Sequence, residues 1–423
     1  MNTNIVDYGA VADGVTLNTS MIQRAIDMCA ANGGGRVTVP GGTYKTGTLW
    51  LRSNVELHLE IGAVLLASEN MDDYNALDAY EQNYGYAPEG WVGKHLIIAH
   101  EINNCAITGF GMIDGNCQAF VDMKPNDGTK VYGWCHGTSV LKDPEQMRPG
   151  QLICFIESTN VRVQDISIRN SPCWSCFLLG CEYVQIRGIK INNPIWMMNS
   201  DGIDIDASRY VTVSDCIIQT GDDAITLRGC EHRVKNQNIH CEFVSISNCV
   251  LATGICAFRI GVGKGTVRHA RISNITISQC ENIAQFCTAY GKKGKVDIED
   301  VNFSNISAEN TDRCFQAFAF NGAFIKNITM ENIRTTSTVR NYVECEDGAV
   351  EGFRLRNMEI RFFDRSTVLP ESQRQFRGDR LLSFADAQGV VLDGVEIYGT
   401  LDGVQDPVEI VNCDDLVKRN CNF

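Results

Sequence analysis

What most constrains this chain is a long series of short alternating segments punctuated by asparagine. Ala106 to Thr108, Val161 to Val163, Ile166 to Ile168, Val184 to Ile186, Val211 to Val213, Val244 to Ile246, Ile272 to Ile277, Val301 to Phe303, Ile325 to Met330, Leu355 to Ile360 and Val390 to Ile397 each read as a strand. Asparagine stands beside many of them, at Asn104, Asn160, Asn170, Asn248, Asn274, Asn305, Asn327 and Asn332. Asn tolerates left-handed backbone and its amide can bond the turn above, so these residues are expected at the corners of stacked coils, as in a parallel β-helix. No helical pattern separates the strands, which excludes alternating βαβ units, and the near-constant spacing counts against a Greek-key sandwich.

A solenoid needs a cap at its end. Residues Asn18 to Ala31 carry apolar side chains at Ile22, Ala25, Ile26 and Cys29, which predicts an amphipathic helix with Asn18 or Thr19 as N-cap and Asn32 to Gly35 as its stop. Val37 to Val39, Thr48 to Leu51 and Val55 to Leu59 follow as short strands. The glycine run lacks the Gly-Lys-Ser/Thr ending of a phosphate loop. Residues 69–148 form a loop-rich insertion bearing Tyr74, Tyr80, Tyr84, Tyr86, Trp91, Tyr132, Trp134 and His136, aromatics that can stack on sugar rings or pack the loops down. A second, charged insertion from Arg361 to Asp379 could close one end of a cleft.

At 423 residues the chain is long for one globule, and the repeats favour a single elongated domain over two. We expect one β-helix over 1–423, with cap and first coils at 1–68, insertions at 69–148 and regular coils at 149–423. A net charge of −14 argues against nucleic acid or anionic membranes as partners, and no apolar run is long enough to span a bilayer. An oligomer is possible. The 19 cysteines, and an N-terminus without a basic-then-apolar segment, lead to an expectation of reduced, buried thiols in a cytoplasmic protein. His232, His240 and His269 show no ligand spacing, so neither a metal nor another cofactor is expected.

The chemistry concentrates in Asn199-Ser200-Asp201 and Gly221-Asp222-Asp223, each followed by a short apolar strand. Asp201 and Asp223 lie 22 residues apart, with the strand-like Arg209 to Ile218 between them. If one coil uses about that many residues, Asp201 stacks beside Asp222 and Asp223. Carboxylates so close repel, so one holds a proton while its neighbours stay ionised, which is the division of labour glycoside hydrolysis needs. A calcium site or solvated turn aspartates is the other reading of such a cluster. Asp204 and Asp206 read as turn-facing structural residues.

These motifs, with Arg259-Ile260, resemble the active site of glycoside hydrolase family 28, the polygalacturonases and their relatives. Further resemblance lies in Gly111 to Gly115, Arg148-Pro149 leading into Leu152 to Phe155, and Asn170 to Trp174. The resemblance implies an all-β, right-handed parallel β-helix and an inverting single displacement. Asp222 would be the general acid, Asp201 and Asp223 would activate water, and acid and base carboxyls would lie about 6.5–9.5 Å apart. Two departures stand out. Where the family has Gly-His-Gly this chain has Ala252-Thr253-Gly254, and Arg259-Ile260 is followed by Gly261, with the nearest lysine at Lys264.

The expected function is therefore a polygalacturonase-like glycosidase, exo-acting on small pectin-derived or related oligosaccharides. The alternatives are a lyase, an epimerase or an intramolecular fructosyl transferase on the same scaffold, or a non-catalytic sugar-binding β-helix. Candidate substrate-binding residues are Arg259, Lys264, Arg228, Thr253, Tyr290 and Asp114. Arg259 could clamp a substrate carboxylate or pair with one of the aspartates, and Asp114 could line the cleft or hold a turn.

Overall fold

The computed structural model describes residues 2–125, 137–363, 380–399, 404 and 407–423. The fold is an all-β, right-handed parallel β-helix with an N-terminal capping helix. Backbone proximity divides the chain into two compact units, Met1–Lys124 with Thr138–Asp222, and Pro125–Gly137 with Asp223–Phe423.

The capping helix spans Thr19–Ala31 and buries Ile22, Ala25, Ile26 and Cys29 completely, the four residues its spacing picks out. It rests on strands Gly35–Val39, Leu49–Trp50 and Val55–Leu59. Each of its two isoleucines stabilises that seat by about 1.5–3 kcal/mol. Asn18 occupies the N-cap position without capping: its side-chain oxygen accepts from the Val11 N–H at 2.7 Å and its amide donates to Thr16 O at 2.7 Å. The residue closes the preceding loop instead. The helix stops at glycine because Gly34 has φ +93° and a Cβ there would lie 2.2 Å from the Asn54 carbonyl oxygen.

Within the first unit, successive coils pair in parallel and stack like residues. Val37, Leu57, Ile107, Val163, Ile186 and Val213 form one inward row, all fully buried. The second unit has its counterpart in Ile246, Ile272, Phe303, Met330, Leu355 and Leu392. Between inward residues the alternate side chains face out, as the pleat requires. Coil length is not constant: Ile153 pairs with Cys176, 23 residues on, whereas Ile225 pairs with Phe258, 33 residues on.

All eight predicted corner asparagines have positive φ, between +52° and +57°. In the second unit five asparagines form a ladder, Asn274 donating to Asn248 at 3.3 Å, Asn305 to Asn274 at 3.2 Å, Asn332 to Asn305 at 3.1 Å and Asn357 to Asn332 at 2.7 Å. The corner thus satisfies side-chain polar groups while tolerating a conformation costly to other residues.

Of the loop aromatics, Tyr74, Tyr80 and Trp91 are buried, Tyr84 is half-buried and Tyr86 exposed. Trp91 packs its ring on Tyr84 and Trp174, with centroids 4.9 and 5.8 Å away. Packing therefore accounts for the buried three. Tyr132, Trp134, His136 and most of the 361–379 insertion lie outside the described residues. The 18 described cysteines are unbridged and 15 are buried, burial pushing thiols such as Cys105 up to about 12.

Candidate active site

In the first unit, a turn made of buried polar atoms carries the aspartates. Ser200, fully buried, donates its hydroxyl to Met197 O at 2.7 Å and accepts from the Gly221 N–H at 3.0 Å. Asn193 braces the same turn, its amide donating to Ser200 O at 3.1 Å and Ser175 Oγ at 2.8 Å while its oxygen accepts from the Ser171 N–H at 2.9 Å. Glycine is required at 221 because a Cβ would lie 2.1 Å from Met197 O.

Arg148, only 2% exposed, sits beneath. Its guanidinium donates to the carbonyls of Pro172 (2.6 Å), Met198 (2.9 Å) and Glu89 (3.0 Å) and to Asn199 Oδ1 (2.8 Å). A planar fork of five N–H groups can gather that many acceptors where an ammonium cannot. Asn199, held at φ +54°, then turns its own N–H onto Asp222 Oδ2 at 3.1 Å. Asp201 is buried and Asp222 half-buried, and they bring carboxylate oxygens within 4.8 Å of each other.

The next residue, Asp223, opens the second unit and the turn into strand Ile225–Cys230. Arg259 grips both of its oxygens, Nη2 donating to Oδ1 at 3.0 Å and Nε to Oδ2, and the Cys256 N–H adds a third bond at 3.2 Å. The pair is nearly closed to water, with 11% and 5% of the side chains exposed. Of the two roles open to Arg259, the geometry shows the pairing with an aspartate. Its Nη1 donates to Gln285 Oε1, and its guanidinium carbon stands 5.5 Å from the centre of the Tyr290 ring.

The other candidates fall elsewhere. Asp114 is a structural anchor: it pairs with Arg169 at 2.8 Å and accepts from Asn170 Nδ2 and the Asn116 N–H, both at 3.0 Å. Thr253, fully buried, accepts through its hydroxyl from the Ile255 N–H at 3.1 Å. Lys264 is exposed on the strand of Arg259, in register with Cys230 and Lys295, and Arg228 is half-buried on strand Ile225–Cys230. Tyr290 is 54% exposed. Asp204 and Asp206 are not in a turn: both are fully buried within strand Ile203–Asp206, in register with Phe177 and Leu179, because that strand's outer face is covered.

Sequence reasoning passed over Glu281. It is ion-paired to Arg313 at 3.3 Å, and burial pushes its carboxyl above the ordinary glutamate range, Asp312 and Asp223 adding to the push while Arg313 and Arg259 oppose it. Its partner lies 32 residues away, one coil on, a separation that no local pattern announces.

Comparison with known proteins agrees with this geometry. The profile of the family described as "Glycosyl hydrolases family 28" matches residues 29–370. An exo-poly-alpha-D-galacturonosidase from Dickeya chrysanthemi is 32% identical over 252 residues, covering 52% of this chain and 41% of that protein. A probable polygalacturonase from Vitis vinifera is 30% identical over 233 residues, covering 54% and 44%. The matches thus span less than half the length of these two relatives. Among solved structures, the family 28 exopolygalacturonase of Yersinia enterocolitica superposes with a TM-score of 0.76 at 22% identity, covering 99% of this chain and 79% of that one. A hyperthermoactive exopolygalacturonase from Thermotoga maritima gives 0.62 at 19% identity, covering 99% and 92%. At these identities the structural likeness speaks for the fold.

Proposed function

Because the chain belongs to the glycosyl hydrolases family 28, we propose that it is a polygalacturonase-like glycosidase, exo-acting and inverting, on small oligosaccharides derived from pectin or related polymers. The observation that carries the reading is the approach of the Asp201 and Asp222 carboxylates to within 4.8 Å, on a turn fixed by Arg148, Ser200 and Asn199. Two carboxylates this close favour holding one proton between them, which keeps an acid and a base side by side near neutral pH.

In the proposed reaction Asp222 gives its proton to the glycosidic oxygen as the anomeric C–O bond breaks. Asp201, with Asp223 next to Asp222 in the chain, takes a proton from the water that attacks the anomeric carbon from the opposite face. Asp223 enters as a carboxylate already neutralised by Arg259. Lys264 and Arg228 supply further positive charge for the uronate carboxylates, and Tyr290 a ring for a sugar face. Action from a chain end is supported by the exo-acting relatives, and a cytoplasmic setting by the unbridged thiols.

The test is release of reducing sugar from oligogalacturonides, rhamnogalacturonan fragments and neutral oligosaccharides, with Asp222→Asn as control. Monomer released from an acidic oligosaccharide with inverted anomeric configuration, and lost in the variant, is the expected result. An unsaturated product, a retained anomer or turnover of neutral sugars alone would overturn the reading.

A further inference from the structure

Beyond Arg259, a row of outward side chains continues down the second unit. Gln285 and Gln316 are direct partners in the parallel ladder, and so are Gln316 and Tyr342. Each follows a fully buried residue and precedes another: Ala284 and Phe286, Phe315 and Ala317, Asn341 and Val343. The three therefore stand on the same outer face of successive coils, half-buried. They are joined by hydrogen bonds, Gln285 Nε2 donating to Gln316 Oε1 at 2.9 Å and Gln316 Nε2 donating to the Tyr342 hydroxyl. Gln285 Oε1 receives Nη1 of Arg259.

The direction of this row is set by chemistry. A guanidinium has donors only, so Gln285 must present its oxygen to Arg259, which leaves its amide NH₂ facing the next coil. Gln316 must then answer with its oxygen and turn its own NH₂ onward. Tyr342 ends the row with a hydroxyl, which can accept as well as donate. An acidic residue in the middle would break the sequence of donors and acceptors, and an apolar one would end it. Tyr342 is itself held, since the Arg340 guanidinium lies 4.7 Å from its ring centre and pairs with Glu344 at 2.8 Å.

We propose that Gln285 is a positioning residue for the reaction, locking the plane of the Arg259 guanidinium on Asp223, with Gln316 and Tyr342 as its backing. With Nε and Nη2 on the carboxylate, Nη1 is the corner by which the fork can be held against rotation. None of the three touches the reacting atoms in this reading, which rests on the assignment of Asp223 to the hydrolytic carboxylates. The row transmits geometry: three coils of sheet fix where the oxygen of Gln285 stands, and that oxygen fixes the guanidinium.

The test uses Gln285→Met, which keeps the volume and removes both polar ends, and Tyr342→Phe, which removes only the last acceptor. On an oligogalacturonide, Gln285→Met is expected to lower kcat by about tenfold or more with KM within about twofold, the loss of one hydrogen bond to a charged group. Tyr342→Phe should cost about threefold alone and nothing further in the Gln285→Met background, because the row is already cut. Losses that multiply in the double variant, or a Gln285→Met enzyme within twofold of the parent, overturn the proposal. If the parent turns over no oligogalacturonide, the functional reading fails, and the positioning role is then read from the Nε–H resonance of Arg259 in ¹⁵N-arginine-labelled protein, assigned with Arg259→Lys. Slow solvent exchange that becomes fast in Gln285→Met supports it; unchanged exchange overturns it.

Discussion

Arg259 holds Asp223 by both carboxylate oxygens at once, in a pair of which 11% and 5% of the side-chain surfaces remain exposed. A closed ion pair of this kind is costly to break from one side, since the surviving charge stays buried. Arg259→Met should therefore destabilise the fold by about 3 kcal/mol in denaturant melts. Arg259→Lys should recover only part of that, because an ammonium cannot span both oxygens. Equal stability of the lysine variant and the parent would show that the fork is unimportant.

Asp222 is half-buried and its carboxylate takes one backbone N–H, from Asn199. Asp222→Asn keeps the shape and that acceptor, so the thermal midpoint should move by no more than about 2 °C. Turnover should fall by a factor of about 10²–10⁴, the contribution of a positioned general acid. Residual activity above about a tenth of the parent would remove Asp222 from that role.

Gly221 has no room for a side chain, a Cβ there falling 2.1 Å from Met197 O. Backbone on both sides must give way for Gly221→Ala to fold. We expect a cost of about 2 kcal/mol or more and loss of turnover together, because the displaced turn carries Asn199 to Asp201 on one side and Asp222 on the other. A variant as stable and active as the parent would contradict the close approach.

Asn305 sits mid-ladder at φ +57°, donating to Asn274 and accepting from Asn332. Asn305→Ala should cost about 1–2 kcal/mol through the left-handed backbone and the two exposed amide bonds, with activity unchanged. Asn305→Gly should cost less, since glycine adopts the same backbone freely. The order of the two midpoints in thermal melts checks it.

Burial raises the Glu281 carboxyl above its unfolded value. The folded state then binds more protons than the unfolded state between those two values, so this group's contribution to stability is full below the unfolded value and lost as pH rises through the folded one. Glu281→Gln removes that dependence. Melts from mildly acidic to neutral pH should show the difference in midpoint between variant and parent shifting in favour of the variant as pH rises. A flat difference would mean that Glu281 titrates normally.

Much of the fold was legible in the sequence because its rules are local. The asparagines announced the corners, since few other residues take φ near +55° without strain, and the spacing of Ile22, Ala25, Ile26 and Cys29 announced the buried face of the helix. The aspartate turns were legible for a similar reason, their residues lying within a few positions of each other. Asn18 was misjudged as a cap because its amide reaches Val11 and Thr16, and Asp204 and Asp206 as turn residues because neither the alternation of Ile203 to Asp206 nor their charge reveals that both faces of that strand are covered.

Taken alone, the sequence determined which side chains face in and which face out, and where the chain bends, because alternation along a strand and the left-handed corner depend only on neighbouring residues. Only the tertiary structure decided which residues stand above one another. Coil length runs from 23 to 33 residues with the size of the loops, so nothing local says that Arg259 meets Gln285 26 residues on, or that Gln285 meets Gln316 after 31. Those vertical neighbours are set by closing each coil on the one below, where the backbone ladder and the buried rows fix the register for the whole turn at once.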